Sequence, residues 1–150
     1  PRGIANIEQW DCSNIEFSGI GFGSADYCAS TGGDMGKASL AYGRGKIINA
    51  AALYNTLALD GVWLDFRDPD GCKQETLYVK SMGFSGRFAI HPDQIKPIHD
   101  AYKPTTQELE WAKGVLEEAK SAGTGAFKYQ GKMVDAPVLA VARSIISREG

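Results

Sequence analysis

Four carboxylates in this 150-residue chain stand where an apolar run gives way to a turn, and they are the side chains best placed to do chemistry. Asp26 lies in Phe22-Gly23-Ser24-Ala25-Asp26-Tyr27, just past a strand-like run and at the start of a helix-like one. A carboxylate there can hold a hard divalent cation through oxygen. It can equally be an N-cap that accepts from the free amides of the next helix, and spacing alone favours the cap. Asp65 and Asp68 flank Arg67 at a second strand end. Arg67 could clamp a carboxylate or phosphate through its two parallel N–H groups, but a structural Asp–Arg pair tying down the loop is the simpler reading. Asp135 precedes Ala136-Pro137 and reads as a cap with Pro just inside a helix; acid–base work would require it to be held over a substrate. His91, at the end of Phe88-Ala89-Ile90, invites a general-base role, although a histidine that fixes its own loop is commoner. His99 falls in a helix and is expected to be exposed. No Ser-His-Asp or Cys-His set assembles, and the glycines of Gly19-Ile20-Gly21-Phe22-Gly23 miss the dinucleotide-binding spacing.

The elements that must carry these residues follow from apolar periodicity. Residues 4–10 suit a short helix, and residues 15–22 form a β-branched, Gly-spaced run expected to be a buried strand. Residues 32–36 read as a loop. Ile47, Ile48, Ala51, Ala52 and Leu53 recur at helical spacing within residues 42–57. Residues 61–66 read as the second strand, 72–82 as a helix stopped by Gly83, and 86–90 as the third strand. Residues 93–102 form a short helix ahead of Pro104. The run Thr105-Thr106-Gln107-Glu108 is a capping box that opens a longer helix. Residues 126–133 alternate around Gly131 as a hairpin does, and residues 137–147 form a last amphipathic helix.

Alternating strands and helices imply parallel strands joined by right-handed crossovers. Three strands cannot close an eight-stranded barrel, and an open sheet would leave bare edges. The expected fold is therefore α/β: the C-terminal part of a (β/α)8 TIM barrel over residues 1–103, followed by a lid or oligomerisation segment over residues 104–150. A small doubly wound sheet is the alternative.

Composition limits the partners. Apolar content of 43% and charged content of 23% are globular values. A net charge of −2 without a basic stripe argues against nucleic acid, and no apolar run approaches the ~20 residues of a membrane span. Cys12, Cys28 and Cys72 are widely spaced and odd in number, which suits free thiols in a reducing compartment. A start at Pro1-Arg2-Gly3 suggests a fragment or a processed chain.

Four segments together resemble the HpcH/HpaI aldolase and citrate lyase β-subunit family. They are F-G-x-x-D-Y-x-A-S from Phe22, D-F-R-D from Asp65, G-F-x-G-x-x-A-I-H-P-x-Q-I from Gly83, and Gly131-Lys132-Met133-x-Asp135-x-Pro137. The match is nearest the citramalyl-CoA and malyl-CoA lyase-like branch. The resemblance implies a Mg²⁺-dependent carbon–carbon lyase acting on a CoA thioester and yielding a 2-oxo acid. It implies that Asp26 is one of two carboxylate ligands to Mg²⁺, and that the Ala25 and Asp26 amides bind the substrate carboxylate. It makes Asp135 the acid/base on a mobile C-terminal segment that reaches a neighbouring subunit, and places Ala89 and Ile90 at the rim of the CoA pocket. The family's second metal ligand, a Glu, and its substrate-binding Arg would lie upstream of Pro1, so these residues alone should not be catalytic. A homo-oligomer (trimer or hexamer) is expected, in the cytoplasm or the mitochondrial matrix. The competing readings are a citrate lyase β-subunit working on a carrier-protein thioester and a non-catalytic assembly module.

Overall fold

The computed structural model describes residues 1–11, 15–123 and 125–149; Cys12 therefore lies outside the described residues. Contacts divide the chain into two compact units, Pro1–Tyr102 and Lys103–Gly150.

In the first unit α1 (Arg2–Asn6) and a 3-10 turn precede β1 (Gly19–Gly21), α2 (Ser24–Thr31) and α3 (Lys37–Leu53). β2 (Leu57–Asp60), α4 (Pro69–Met82) and β3 (Gly86–Arg87) follow, and a 3-10 turn (Pro92–Gln94) leads into α5 (Ile95–Tyr102). The strands pair in the order β1-β2-β3, all parallel, with Gly19 opposite Leu57 and Leu59 opposite Gly86. Parallel pairing forces each crossover through a helix, and α3 and α4 are those helices. One face of the sheet is dry: Ile20, Phe22 and Ala58 pack with Leu40, Ile47 and Ala51 of α3 and Val79 of α4. Each such large side chain contributes roughly 1.5–3 kcal/mol by leaving water. The N-terminus is tied to α3. Glu8 pairs with Lys46 and accepts from Asn49 at 2.6 Å, and the Tyr54 hydroxyl donates to the Ile7 carbonyl at 2.8 Å.

The strand limits shift, and the helix expected over residues 42–57 runs Lys37–Leu53. The first strand is Gly19–Gly21, not residues 15–22. The second is Leu57–Asp60, and residues 61–66 are the loop that leaves it. The apolar run Val62-Trp63-Leu64 misled the periodicity, whereas the turn lies at Asn55, whose left-handed backbone (φ 51°) separates α3 from β2. The third strand stops at Arg87, so Phe88, Ala89 and Ile90 belong to an exposed exit segment.

The second unit holds α6 (Thr106–Ala122), a hairpin of β4 (Phe127–Tyr129) and β5 (Lys132–Val134), and α7 (Ala136–Ile146) around Ala112, Val115, Val134 and Ala142. The capping box is complete: Thr105 Oγ1 accepts from the Glu108 amide at 3.1 Å, and Glu108 Oε2 accepts from the Thr105 amide at 2.7 Å. The hairpin turns on Gln130 (φ 47°) and Gly131 (φ 77°), two consecutive left-handed residues that match the twist of the flanking strands. Among the described residues no helix is long and apolar enough to cross a membrane.

Candidate functional site

The three parallel strands end on one side of the sheet, and a hollow of about 320 Å³ opens there. It is lined by Gly21 and Phe22 of β1 and its exit, Ser24, Ala25 and Asp26 of α2, Gly61 and Val62 after β2, and Phe88 after β3. Gly21 lets the Phe88 ring lie close: a Cβ there would stand 2.6 Å from it, so a larger residue would make the ring swing away. Gly61 is tighter still, since a Cβ would overlap the Ser24 hydroxyl and meet the Phe22 backbone carbonyl at 2.9 Å. These contacts bring the three strand exits together.

Asp26 is exposed and is the third residue of α2, so it is not the cap. That position belongs to Gly23, and Asp26 Oδ2 lies 3.4 Å from where a Gly23 side chain would begin. The carboxylate thus folds back over the positive end of the helix, where negative charge is favoured. The first intrahelical bond runs from the Tyr27 amide to the Gly23 carbonyl at 2.9 Å. The Ala25 and Asp26 amides precede it, so helix geometry gives them no acceptor within α2. Asp26 also borders a second hollow of about 240 Å³, shared with Pro1, Ile4, Ile7 and Trp10. Among the described residues no three His, Cys, Asp or Glu side chains gather to hold a metal ion. Asp26 is a single hard-oxygen donor, which suits Mg²⁺ chemically while leaving most of its coordination shell to other groups.

The remaining candidates separate. Asp65 Oδ1 accepts from the Arg67 backbone amide at 3.1 Å and so shapes the turn without the expected pairing to the guanidinium. Arg67 instead lies over the Phe66 ring, 5.2 Å from its centroid. Asp68 caps α4 by accepting from the Gly71 amide at 2.8 Å. His91 Nδ1 accepts from the Asp93 amide at 3.2 Å, and its ring stacks on Phe66 with centroids 4.6 Å apart, so it fixes its loop. His99 is exposed on α5. In the second unit Asp135 is exposed and caps α7 through the Val138 amide at 3.3 Å. Cys28 and Cys72 are free and buried, and burial pushes the Cys72 thiol up.

A buried ion network behind the hollow was missed by motif reading. Asp60, fully buried at the end of β2, accepts from Arg44 Nε at 3.1 Å, Arg44 Nη2 at 3.0 Å and Arg87 Nη2 at 3.1 Å. Arg44 also meets Glu75 at 2.8 Å, and Arg87 donates to the Gly61 carbonyl at 3.2 Å and to Thr76 at 3.3 Å. Burial alone would lower the Arg44 pKa, but its bonds to Asp60 and Glu75 outweigh that and hold it above the ordinary value. The signal was the alternation of Leu57-Ala58-Leu59-Asp60, which turns Asp60 onto the same dry face as Ala58.

Parallel strands alternating with helices, and a ligand-sized hollow at the strands' carboxyl ends, are the arrangement in which α/β proteins of barrel or doubly wound type bind ligands. A family model described as "C-C_Bond_Lyase of the TIM-Barrel fold" matches residues 45–149, and the chain belongs to that family. It is 36% identical over 131 residues to the mitochondrial citramalyl-CoA lyase of Rattus norvegicus, covering 84% of this chain and 39% of that protein. It is 37% identical over 139 residues to a citrate lyase subunit beta-like protein of Mycobacterium tuberculosis, covering 88% of this chain and 50% of that one. It superposes with a TM-score of 0.84 and 32% identity on protein CitE from Mycobacterium tuberculosis in complex with magnesium, acetoacetate and coenzyme A, covering 99% of this chain and 58% of that one. The sheet is thus part of a TIM barrel, and the resemblance to the citrate lyase β family, on its citramalyl-CoA branch, holds. The chain spans half or less of the length of these two relatives.

Proposed function

We propose that this chain carries part of the active site of a Mg²⁺-dependent carbon–carbon lyase. Its substrate would be a 3-hydroxy-3-carboxyacyl-CoA such as citramalyl-CoA or malyl-CoA, cleaved to an acyl-CoA and a 2-oxo acid. The observation that carries the reading is that Ala25 and Asp26, in the first turn of α2 where amides have no acceptor within the helix, line the hollow at the strand exits.

Asp26 supplies one carboxylate ligand to Mg²⁺, with the remaining ligands from outside these 150 residues. When bound, the cation supplies Lewis acidity at the oxygens of the forming 2-oxo acid. The Ala25 and Asp26 amides hold its carboxylate, as the N-terminus of a helix holds any anion. Cleavage passes the 3-hydroxyl proton to water, from which Asp135 is recharged, breaks the bond between C2 and C3 and leaves an enolate on the thioester. Asp135 delivers the proton that converts this enolate to the acyl-CoA. The rim at Ala89 and Ile90 borders the CoA chain. The second unit acts as a lid across a neighbouring subunit of a homotrimer or hexamer, in the cytoplasm or the mitochondrial matrix. Expressed from its complete gene, the protein should release a 2-oxo acid from citramalyl-CoA or malyl-CoA only with Mg²⁺. Asp26→Ala should abolish both Mg²⁺ binding and release, whereas Asp135→Ala should stop release and leave Mg²⁺ binding intact. Full activity in Asp26→Ala would overturn the reading.

The likeness to a citrate lyase subunit beta-like protein favours a second reading, cleavage of a carrier-protein thioester. Turnover of carrier-bound citryl thioester with none of free CoA thioesters would select it.

A further inference from the structure

Between β3 and α5 the chain runs exposed through Phe88, Ala89 and Ile90 before the turn Pro92–Gln94. Two contacts anchor this segment to the strand exits: the Phe88 amide donates to the Asp60 carbonyl at 3.1 Å, and the Ile90 amide donates to Gln94 Oε1 at 2.9 Å. Gln94 is the residue that makes the second possible. It is 1% exposed, and the 3-10 turn, begun by Pro92 and capped by His91, swings its amide back beneath the segment it has just left. Its other end donates from Nε2 to the Trp63 carbonyl at 2.7 Å, in the loop after β2. One carboxamide therefore offers its acceptor to the β3 exit and its donor to the β2 exit, and neither loop belongs to a strand ladder there. A carboxamide carries its acceptor and its N–H donors on one planar group, which lets a single side chain serve both loops.

We infer that Gln94 is a positioning residue for the thioester substrate. By joining Ile90 to Trp63 it fixes the Ala89–Ile90 segment, which follows directly on Phe88 at the hollow, before ligand arrives. This rests on the proposed function for the rim's role, while the clasp itself rests on the two bonds. Such pre-ordering lowers the cost of binding, because the loop does not lose its freedom at the moment of association. Gln94 bonds to Ile90 and Trp63 and not to Asp26, so its removal should act on CoA affinity and spare Mg²⁺ binding.

The test uses Gln94→Met, which keeps length and apolar bulk but removes both bonds. Binding of CoA and of Mg²⁺ is measured by calorimetry on the protein expressed from its complete gene, and amide exchange is followed at Ile90 and at Val79 in the core. The expected result is CoA binding weakened about tenfold, as loss of one or two net hydrogen bonds would give. Mg²⁺ binding should be unchanged, with exchange faster at Ile90 and unchanged at Val79. CoA binding equal to wild type in the variant overturns the inference and leaves the proposed function standing. Faster exchange at Val79 as well overturns it in favour of a general loss of fold. Wild-type protein that binds Mg²⁺ but no CoA overturns the rim's role and the inference with it.

Discussion

Removing the carboxylate of Asp60 tests the physical account of the site's foundation most directly. The perturbation is Asp60→Leu, which keeps the approximate volume and leaves Arg44 and Arg87 in place. Arg44 then retains Glu75 at 2.8 Å, but Arg87 is left with only the Thr76 hydroxyl and the Gly61 carbonyl, at 3.3 and 3.2 Å. Arg44 and Asp60 are 2% and 0% exposed, and Arg87 9%, so water cannot readily replace what is lost. Breaking one partner out of a buried ion pair costs about 3–5 kcal/mol. A domain of this size is stable by about 5–15 kcal/mol in total. The substitution therefore removes roughly a fifth of the stability at the least and most of it at the other extreme, whereas Asp60→Asn, which keeps the shape, should cost about 1.5–3 kcal/mol. Guanidinium chloride unfolding followed by far-ultraviolet circular dichroism reads this as a midpoint lowered by about 1 M for Asp60→Leu. Pairing Asp60→Leu with Arg87→Met should recover part of the loss, because the second change removes the stranded cation. Stability of Asp60→Leu within about 0.5 kcal/mol of wild type, or strict additivity of the pair, would refute the reasoning.

Thr105→Ala should remove the bond from the Glu108 amide to Thr105 Oγ1, leaving the Thr105 amide on Glu108 Oε2, and cost the second unit about 1 kcal/mol, read as a lower melting temperature with helix content retained below the transition. The Glu8 carboxyl is held below its ordinary 4.5 by its hydrogen bonds to Lys46 and Asn49. Because its folded pKa is depressed, the stability it gives is fully present above 4.5 and is lost as pH falls through the lower folded value. Melting temperatures of wild type and Glu8→Gln should therefore differ near neutrality and converge in acid; an undiminished difference well below the folded pKa would refute the pairing.

The sequence revealed the order of elements well because helices carry their own punctuation. The Thr105–Glu108 box and the Gln130-Gly131 turn act through neighbours a few residues away, and both formed where local chemistry put them. Strand limits were less legible, since a parallel strand is defined by what pairs beside it. Leu57–Asp60 looks like the tail of a helix until Gly19–Gly21 lies alongside. At the site, Asp26 was visible as a carboxylate at a turn, but its position inside the helix was not, because Gly23 offers no side-chain cap to read. The Arg44–Asp60–Arg87 network was least legible of all. Its members are 16 and 27 residues apart, and no local spacing rule connects them.

The closeness of Gly21 and Phe88 gives the hollow an adjustable width. The Phe88 ring stands where a side chain on residue 21 would grow, so one methyl group on the first strand and the tilt of one ring on the third compete for the same volume. The aperture above Asp26 is thus set jointly by two positions 67 residues apart in the chain, 21 and 88. A lineage that enlarged residue 21 would have to shrink or swing residue 88 in step. Changes in the size of molecule admitted would then come as paired substitutions, with the carboxylate below left untouched.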